Sequence, residues 1–229
     1  MRSCIGEHYE VTANRALIEV DEDELRAGRR DDEGRAKDIR DALADSSVAA
    51  IVGLRGGAWF TRIMPRIDFS VLDGRATQVA VFGFSELTPL VNVVAAHRNG
   101  LAVYDMGPAF LVYGMKRHAA QRIAAGDPEF ADTTPTDWML ARWKTEFDHY
   151  FQRVVRIVDG REIIELDARF IRGDLEERQA ARFVGGNLTV LSTMIGSPYD
   201  PLLRMPRSWL VIEDFNDKPE AASRRVHRR

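Results

Sequence analysis

The amino-acid sequence predicts an α/β protein: a mostly parallel, flavodoxin-like sheet flanked by helices, followed by a smaller, truncated C-terminal α/β or β-rich part. Two apolar runs, 48–54 and 78–82, suit strands that are buried on both faces of a parallel sheet. Helical patterns at 34–44 and 87–96 alternate with them, and a third strand is expected at 101–104. Because parallel neighbours are joined by right-handed crossovers, this order favours an α/β layer.

The pattern changes after about residue 125. A helix rich in aromatic residues is expected at 138–151, and the turn signal Asp159-Gly160 between 153–158 and 161–166 predicts a β-hairpin. Further on, we expect a turn at Gly185-Gly186-Asn187, a short helix ending at Ile195 and a strand at 209–213. The sequence therefore predicts an N-terminal α/β domain at 1–125, a linker and helix at 126–152, and a partial C-terminal domain at 153–229.

Composition excludes several classes of function. The chain has 229 residues, 45% of them hydrophobic, which is enough for one large domain or two small ones. Its 32 basic and 35 acidic residues leave a net charge of −3, so a general nucleic-acid binder is not expected. The single cysteine, Cys4, can form neither an internal disulfide nor a cysteine-rich zinc site. With no signal-peptide pattern and no apolar stretch of membrane-spanning length, we expect a cytoplasmic protein without membrane or nucleic-acid partners.

The sharpest local signal for chemistry is Gly83-Phe84-Ser85-Glu86, which lies between a predicted buried strand and a helix. A serine on such a turn can raise its hydroxyl above the sheet edge, and the N–H of Glu86 could then donate to an oxyanion. The alternative is that Ser85 only caps the following helix, as serine often does. The second glycine of the usual nucleophile turn is absent, because Leu87 stands there.

A glycine pair follows the preceding strand, in Arg55-Gly56-Gly57. In a parallel sheet this pair lies on the same edge as Ser85, where ligands bind in open α/β sheets. Gly56 and Gly57 could let backbone N–H groups approach a substrate, although a plain strand-ending turn explains them equally well. A nucleotide-binding module is the weakest alternative, since neither a Walker lysine nor a complete glycine-rich spacing is present.

Five blocks of sequence carry a further signal when they are taken in order: Ala42-Leu43-Ala44-Asp45 through Arg55-Gly56-Gly57, Arg62 through Phe69, Phe82 through Thr88, Gly185-Gly186-Asn187-Leu188 through Tyr199, and Leu210 through Asp214. In this order they resemble the LD-carboxypeptidases, serine peptidase family S66. The resemblance runs from about residue 34 to the end, and relative to the family the chain is expected to be shortened at both ends.

The resemblance implies a function and a site. Members of this family cut an amide bond next to a terminal D-residue in murein tetrapeptides, and the related microcin C self-immunity proteins cleave a peptide-nucleotide. Both use a Ser–His–Glu triad without metal or cofactor. The resemblance also implies a possible homodimer. Carried over, Ser85 would attack the carbonyl, Glu213 would orient the histidine, and the N–H groups of Glu86 and of the Gly56-Gly57 pair would hold the oxyanion.

The departures from the family concern the general base. No Gly-His pair occurs, and His227 is the only histidine after Glu213. A terminal histidine is seldom held rigidly, so the base stays unidentified with His227 as the remaining candidate. Met106 replaces the family's histidine before Gly-Pro, and Ala58-Trp59 replaces its Tyr-Gly.

Two hypotheses follow. The first is a serine carboxypeptidase of LD type that takes a muropeptide or a peptide-nucleotide as its substrate. The second is a non-catalytic remnant of that fold that binds a peptide or partner subunits.

Overall fold

The computed structural model describes residues 3–5, 9–13, 32–56, 60–162 and 182–214. The strands in these residues are β1 (Ser3–Ile5), β2 (Tyr9–Val11), β3 (Ala50–Val52), β4 (Val79–Gly83), β5 (Gly100–Tyr104), β6 (Phe183–Asn187) and β7 (Trp209–Glu213). The α-helices are α1 (Asp32–Ala44), α2 (Thr88–Ala95), α3 (Ala109–Ala124), α4 (Pro135–Val158), α5 (Leu188–Met194) and α6 (Pro201–Arg204).

The central sheet is parallel and has the strand order β3-β4-β5. Val81 of the middle strand lies opposite Ile51 on one side and Ala102 on the other. All five residues of β4 are buried, as expected for a strand covered on both faces. The predicted parallel sheet flanked by helices is confirmed.

Two apolar clusters cover the two faces of this sheet. Val79 and Val81 pack with α1, α2 and the short 3₁₀ turns between β3 and β4. Ala80 and Phe82 face the other way and pack with Tyr150, Phe151, Val154 and Ile157 of α4. Successive side chains of a strand point to opposite faces, so β4 alone supplies both clusters.

Arg75 closes the connection between α1 and β3. Its buried guanidinium donates hydrogen bonds to the carbonyl oxygens of Leu43 (2.6 Å), Asp45 (2.8 Å) and Val48 (2.8 Å). These acceptors lie at the end of a helix and in the turn that follows, where carbonyls have no partner within the helix. A single side chain therefore donates to three carbonyls of the backbone that leads into the sheet.

A second parallel sheet pairs β6 with β7 and attaches to α2. Asn92 of α2 donates to the Gly185 carbonyl (2.6 Å) and accepts from the Gly185 N–H (2.9 Å). Thr88 Oγ1 accepts from the N–H of Asn187 (3.1 Å). The middle and the end of β6 are therefore held by side chains of the helix that follows Ser85.

The predicted hairpin around Asp159-Gly160 is wrong in its first strand, because 153–158 is the last part of α4. Val154 and Ile157 share the buried face of that helix with Tyr150 and Phe151. Asp159 is the C-cap, and Gly160 follows with a φ of +67°, the left-handed conformation that commonly ends a helix. Arg161 and Glu162 are not in a strand, and the rest of the second predicted strand lies outside the described residues.

Two further expectations differ from the structure. The predicted turn at Gly185-Gly186-Asn187 is part of strand β6, and helix α3 was not predicted. The division into 1–125, 126–152 and 153–229 stays a prediction, and α4 runs through its boundary at residue 152.

Candidate active site

Ser85 lies two residues beyond the carboxyl end of β4, with a backbone φ of +56°. A 3₁₀ turn, Ser85–Leu87, leads from it into α2, whose first turn contains Pro89. A positive φ is uncommon for a residue with a side chain, and such strain clusters at functional sites. The combination of buried strand, strained serine and helix is the local geometry of a nucleophile turn.

The alternative role of Ser85 as a helix cap does not match this geometry. The N-cap residue of α2 is Leu87, and it makes no side-chain capping bond. The Ser85 carbonyl instead accepts a hydrogen bond from Thr88 Oγ1 at 2.6 Å. The backbone of the turn is thus held by its neighbours, and the serine side chain is not the group that caps the helix.

Two glycines allow the turn to form. A Cβ at Gly83 would lie 2.8 Å from Leu87 Cβ. A Cβ at Gly56 would lie 2.8 Å from Ser85 Cβ and 3.3 Å from Ser85 Oγ. The structure therefore brings Gly56 against the predicted nucleophile, as the shared sheet edge suggests, whereas Gly57 lies outside the described residues.

The side chain of Glu86 is turned into the protein. Its carboxylate accepts a hydrogen bond from the Phe60 N–H (3.2 Å) and lies 4.0 Å from the guanidinium of Arg35. The residue is only 8% exposed. This carboxylate connects the turn at Ser85 to α1 and to the segment that begins at Phe60. The predicted role of the Glu86 backbone N–H stays a prediction.

Tyr104 connects Ser85 to Glu213. The Ser85 N–H donates to Tyr104 Oη (3.1 Å), and the Tyr104 hydroxyl donates to Glu213 Oε2 (2.8 Å). Burial, with a smaller contribution from Glu213, raises the pKa of Tyr104 to about 12, so its hydroxyl keeps its proton at neutral pH. Two residues that the resemblance singled out are thereby joined through one phenol.

The sequence reasoning did not identify Tyr104 as a site residue. The available signal was its position as the last residue of a predicted strand, on the same sheet edge as Ser85. A Cβ at Gly186 would approach Tyr104 Cε2 to 2.7 Å, and Gly186 has a φ of +126°. Glycine at this position is therefore what allows β6 to pack beside the ring.

The described histidines lie away from this cluster. His97 follows the C-terminal end of α2, with its Nδ1 3.0 Å from Asp73 Oδ1 and its Nε2 3.4 Å from Arg204 Nη2. His118 packs against Phe130 and Trp138, and His149 is exposed on α4. None of these three makes a hydrogen bond to Ser85 or Glu213. His227 lies outside the described residues.

Within the described ranges, no three His, Cys, Asp or Glu side chains are placed to hold a metal ion together. In the same ranges, no helix is both long enough and apolar enough to cross a membrane.

Comparison with known proteins shows which family and which proteins the chain is similar to. Residues 5–105 match the family model Peptidase S66, described as the LD-carboxypeptidase N-terminal domain. The murein tetrapeptide carboxypeptidase of Pseudomonas aeruginosa is 26% identical over 185 residues, which cover 81% of this chain and 52% of that protein. YocD of Bacillus subtilis, which carries a provisional carboxypeptidase name, is 24% identical over 188 residues, or 80% and 52% of the two chains. The chain thus spans about half the length of the curated relatives it matches.

Solved structures show the same fold. The microcin C7 self immunity protein MccF in its wild-type apo state matches with a TM-score of 0.50 and 15% identity, over 86% of this chain and 57% of that one. MccF in complex with aspartyl sulfamoyl adenosine matches with a TM-score of 0.50 and 16% identity, over the same shares. The family match and the curated relatives confirm the resemblance to the LD-carboxypeptidases, and the solved structures confirm the fold.

Proposed function

We propose that this chain carries the nucleophile and the acidic residue of a serine carboxypeptidase that cleaves the amide bond before a terminal D-amino acid. The substrate is a murein tetrapeptide or a related peptide conjugate. The observation that carries the proposal is the positive φ of Ser85 just beyond a buried parallel strand, because a strained strand-to-helix turn of this kind presents the nucleophilic serine of α/β hydrolases. The family match at 5–105 covers the same turn and supports the same chemistry.

In the proposed reaction, Ser85 Oγ attacks the carbonyl carbon of the scissile amide while its proton passes to a general base. The backbone N–H groups of Glu86 and of the Gly56-Gly57 pair stabilise the oxyanion of the tetrahedral intermediate. The base then protonates the amine of the leaving D-amino acid, and the C–N bond breaks to leave an acyl-serine. Water, deprotonated by the same base, hydrolyses this ester and restores the Ser85 hydroxyl.

Glu213 is proposed to orient the base and to stabilise its protonated form. Its hydrogen bond from Tyr104 supports this role, because the phenol holds the carboxylate beside the nucleophile turn. His227 is the base that the sequence offers within this chain, and its participation is part of the proposal.

The experiment is release of D-alanine from an L,D-linked murein tetrapeptide, with wild-type protein and Ser85→Ala measured side by side. We expect release by the wild type and a loss of at least about a thousandfold in the variant, since the nucleophile is essential. Release that Ser85→Ala leaves unchanged contradicts the proposal. His227→Ala, assayed next, is expected to lower the rate similarly if that residue is the base.

A peptide-nucleotide is the second substrate to assay. MccF, which shares the fold, has been solved with aspartyl sulfamoyl adenosine, and this supports testing an aminoacyl sulfamoyl nucleoside beside the tetrapeptide. We expect Ser85-dependent cleavage of one of the two, which would define the substrate class. A cytoplasmic location and a homodimer remain part of the proposal, and sedimentation of the protein tests the dimer.

A non-catalytic peptide-binding role is the second candidate. It is favoured by the placement of His97, His118 and His149, none of which hydrogen-bonds to Ser85 or Glu213 in the described part of the chain. This candidate predicts saturable binding of the tetrapeptide, measured by calorimetry, with no D-alanine released. Turnover that depends on Ser85 excludes it.

A further inference from the structure

Arg55 follows strand β3 at the carboxyl edge of the central sheet, one residue before the glycine that lies against Ser85. Backbone contacts fix the chain that leads to it. The Gly53 N–H donates to the carbonyl of Phe82 near the end of β4 (2.9 Å), and the Leu54 carbonyl accepts from the first N–H of α3 (3.0 Å). The backbone at Arg55 is therefore held between two elements of the sheet layer and the turn at Ser85.

This placement brings Arg55 close to the nucleophile predicted for the site. A Cβ at Gly56 would lie 2.8 Å from Ser85 Cβ. Because neighbouring Cα atoms are about 3.8 Å apart, the Cα of Arg55 lies within about 8 Å of Ser85 Cβ. In the amide that the proposed reaction cleaves, the terminal carboxyl carbon is less than about 4 Å from the scissile carbonyl carbon. A side chain that binds this carboxylate must therefore start near the nucleophile, as the long side chain of Arg55 does.

The charge of Arg55 is unpaired. Its side chain is exposed and has no acidic partner among the residues that the structure describes. Two other arginines near these strand ends are engaged by the protein itself: Arg35 lies 4.0 Å from Glu86, and Arg153 donates to Asp105 (3.0 Å). Within the described ranges, the remaining basic side chains without a partner lie away from this edge, either before the amino ends of β5, β6 and β7 or on the third turn of α3, and are Arg98, Arg182, Arg207, Lys116 and Arg117.

The site needs such a positive charge if it is to bind an anionic chain end. Glu213 already brings a carboxylate beside the turn at Ser85, through its hydrogen bond from Tyr104 (2.8 Å). A second carboxylate close to it is repelled unless a cation compensates. The planar guanidinium of arginine matches a carboxylate with two parallel hydrogen bonds. At the carboxyl edge of the described strands, Arg55 is the arginine available for this contact.

We propose that Arg55 binds the terminal carboxylate of the substrate, so that the site selects the end of a peptide over an internal amide. The guanidinium donates two hydrogen bonds to the carboxylate and takes no part in making or breaking bonds. Arg55 is thus a specificity-determining residue. The proposal rests on the proposed function for the identity of the substrate, and it is tested by binding, which does not require turnover.

The test measures affinities by calorimetry, on the full 229-residue chain carrying Ser85→Ala so that no ligand is consumed. The probes are the L,D-linked murein tetrapeptide and the same peptide with its terminal carboxylate converted to an amide. We expect the tetrapeptide to bind about tenfold to a hundredfold more tightly than its amide, the usual effect of a hydrogen bond between charged groups.

Three further substitutions, each combined with Ser85→Ala, make the test specific. Arg55→Met removes the charge but keeps a long side chain, and should lower the affinity for the tetrapeptide to that for the amide while leaving the amide unchanged. Arg55→Lys keeps the charge but not the planar fork, and should retain a preference of at least about threefold. Arg98→Met is the matched control, because this arginine is also exposed and unpaired in the described part of the chain but lies at the opposite edge of the sheet. It should leave both affinities within about twofold. Thermal unfolding checks that each variant folds.

Equal affinities for the tetrapeptide and its amide overturn the proposal. So do an equal loss for both peptides in Arg55→Met, and an absence of tetrapeptide binding. Release of D-alanine by the wild type remains the separate test of the proposed function. Release together with equal affinities would remove only the role of Arg55, whereas a preference for the tetrapeptide without release would remove only the peptidase activity.

Discussion

Strand β4, which leads to Ser85, and strand β7, which carries Glu213, differ sharply in their surroundings. All five residues of β4 are buried, whereas Trp209, Leu210, Val211 and Ile212 of β7 are each 43–47% exposed. The turn at Ser85 therefore rests on a core that is covered on both faces. The acidic residue depends instead on a few hydrogen bonds that connect the second sheet to α2 and to Tyr104.

This difference shows that two residues of one candidate site can be positioned by different forces. Burial of apolar surface is non-directional and holds a whole strand. A hydrogen bond is directional and holds a single group, and its net contribution is modest unless a buried partner is left unpaired. Substitutions in the two regions should accordingly differ in size and in what they disturb.

The largest expected effect is that of Arg75→Ala. The variant removes the Arg75 donor from the carbonyls of Leu43, Asp45 and Val48 at the entry to the central sheet, and the Asp45 carbonyl keeps only its bond from the Val48 N–H (3.0 Å). We expect the free energy of unfolding to fall by about 3 kcal/mol, measured by urea denaturation. Arg204→Ala is the matched control, because this exposed arginine donates to the Pro198 carbonyl (3.2 Å) in the second region and should cost less than about 0.5 kcal/mol. Equal losses would contradict the contrast between the regions.

The next largest effect concerns the hydrogen bonds between α2 and β6. Asn92→Ala removes a side chain that both donates to and accepts from Gly185, and leaves those backbone groups unpaired. We expect a loss of about 2.5 kcal/mol in the free energy of unfolding. Amide hydrogen exchange should speed up at Gly185 and Asn187 while β4 stays protected. Faster exchange in β4 with unchanged exchange at Gly185 would show that Asn92 does not hold β6 in place.

A matched pair of valines compares the strands directly. Val81 of β4 is fully buried, and Val211 of β7 is 47% exposed. Val81→Ala should lower the free energy of unfolding by about 2 kcal/mol, because it removes buried methyl groups and leaves a cavity. Val211→Ala should change it by less than about 0.5 kcal/mol. Urea denaturation of the two variants decides this, and a similar loss for both would mean that β7 is covered in solution.

The smallest effect is that of Tyr104→Phe, which removes the link to Glu213. We expect a loss of about 1 kcal/mol at pH 7, the usual contribution of one hydrogen bond. The pH dependence gives a sharper readout. Folding raises the pKa of Tyr104 from 10.0 to about 12, so the folded state holds the phenolic proton more tightly than the unfolded state does.

The stabilisation from this proton is therefore complete below pH 10, and it decreases as the pH rises from about 10 to about 12. Urea denaturation across this range should show a steeper loss for the wild type than for Tyr104→Phe. Tyr150→Phe serves as a control, because it keeps the Tyr104 link and should keep the part of the loss that Tyr104 contributes. Parallel curves for wild type and Tyr104→Phe would contradict the role assigned to this phenol.

The sequence predicted best those elements whose secondary structure and burial follow from their own composition. The run at 78–82 and the segment at 87–96 are so apolar that only burial suits them, and they became β4 and α2. The hairpin predicted from Asp159-Gly160 was wrong because a left-handed glycine ends a helix as readily as it forms a hairpin turn. Gly185 misled in the same way: a Cβ there would lie 1.8 Å from the Val211 carbonyl oxygen, so this glycine serves close strand approach.

By itself, the sequence determined the parallel α/β layer, the serine turn at Ser85 and the glycine that lies against it. These depend on hydrophobic period, chain order and local turn chemistry, which neighbouring residues carry. Only the tertiary structure decided that Tyr104 joins Ser85 to Glu213, which lies 109 residues beyond Tyr104 in the chain. It also decided that the carboxylate of Glu86 lies beside Arg35 of α1 and the Phe60 N–H. Such contacts depend on how separate elements pack, and no local pattern encodes the distance between them.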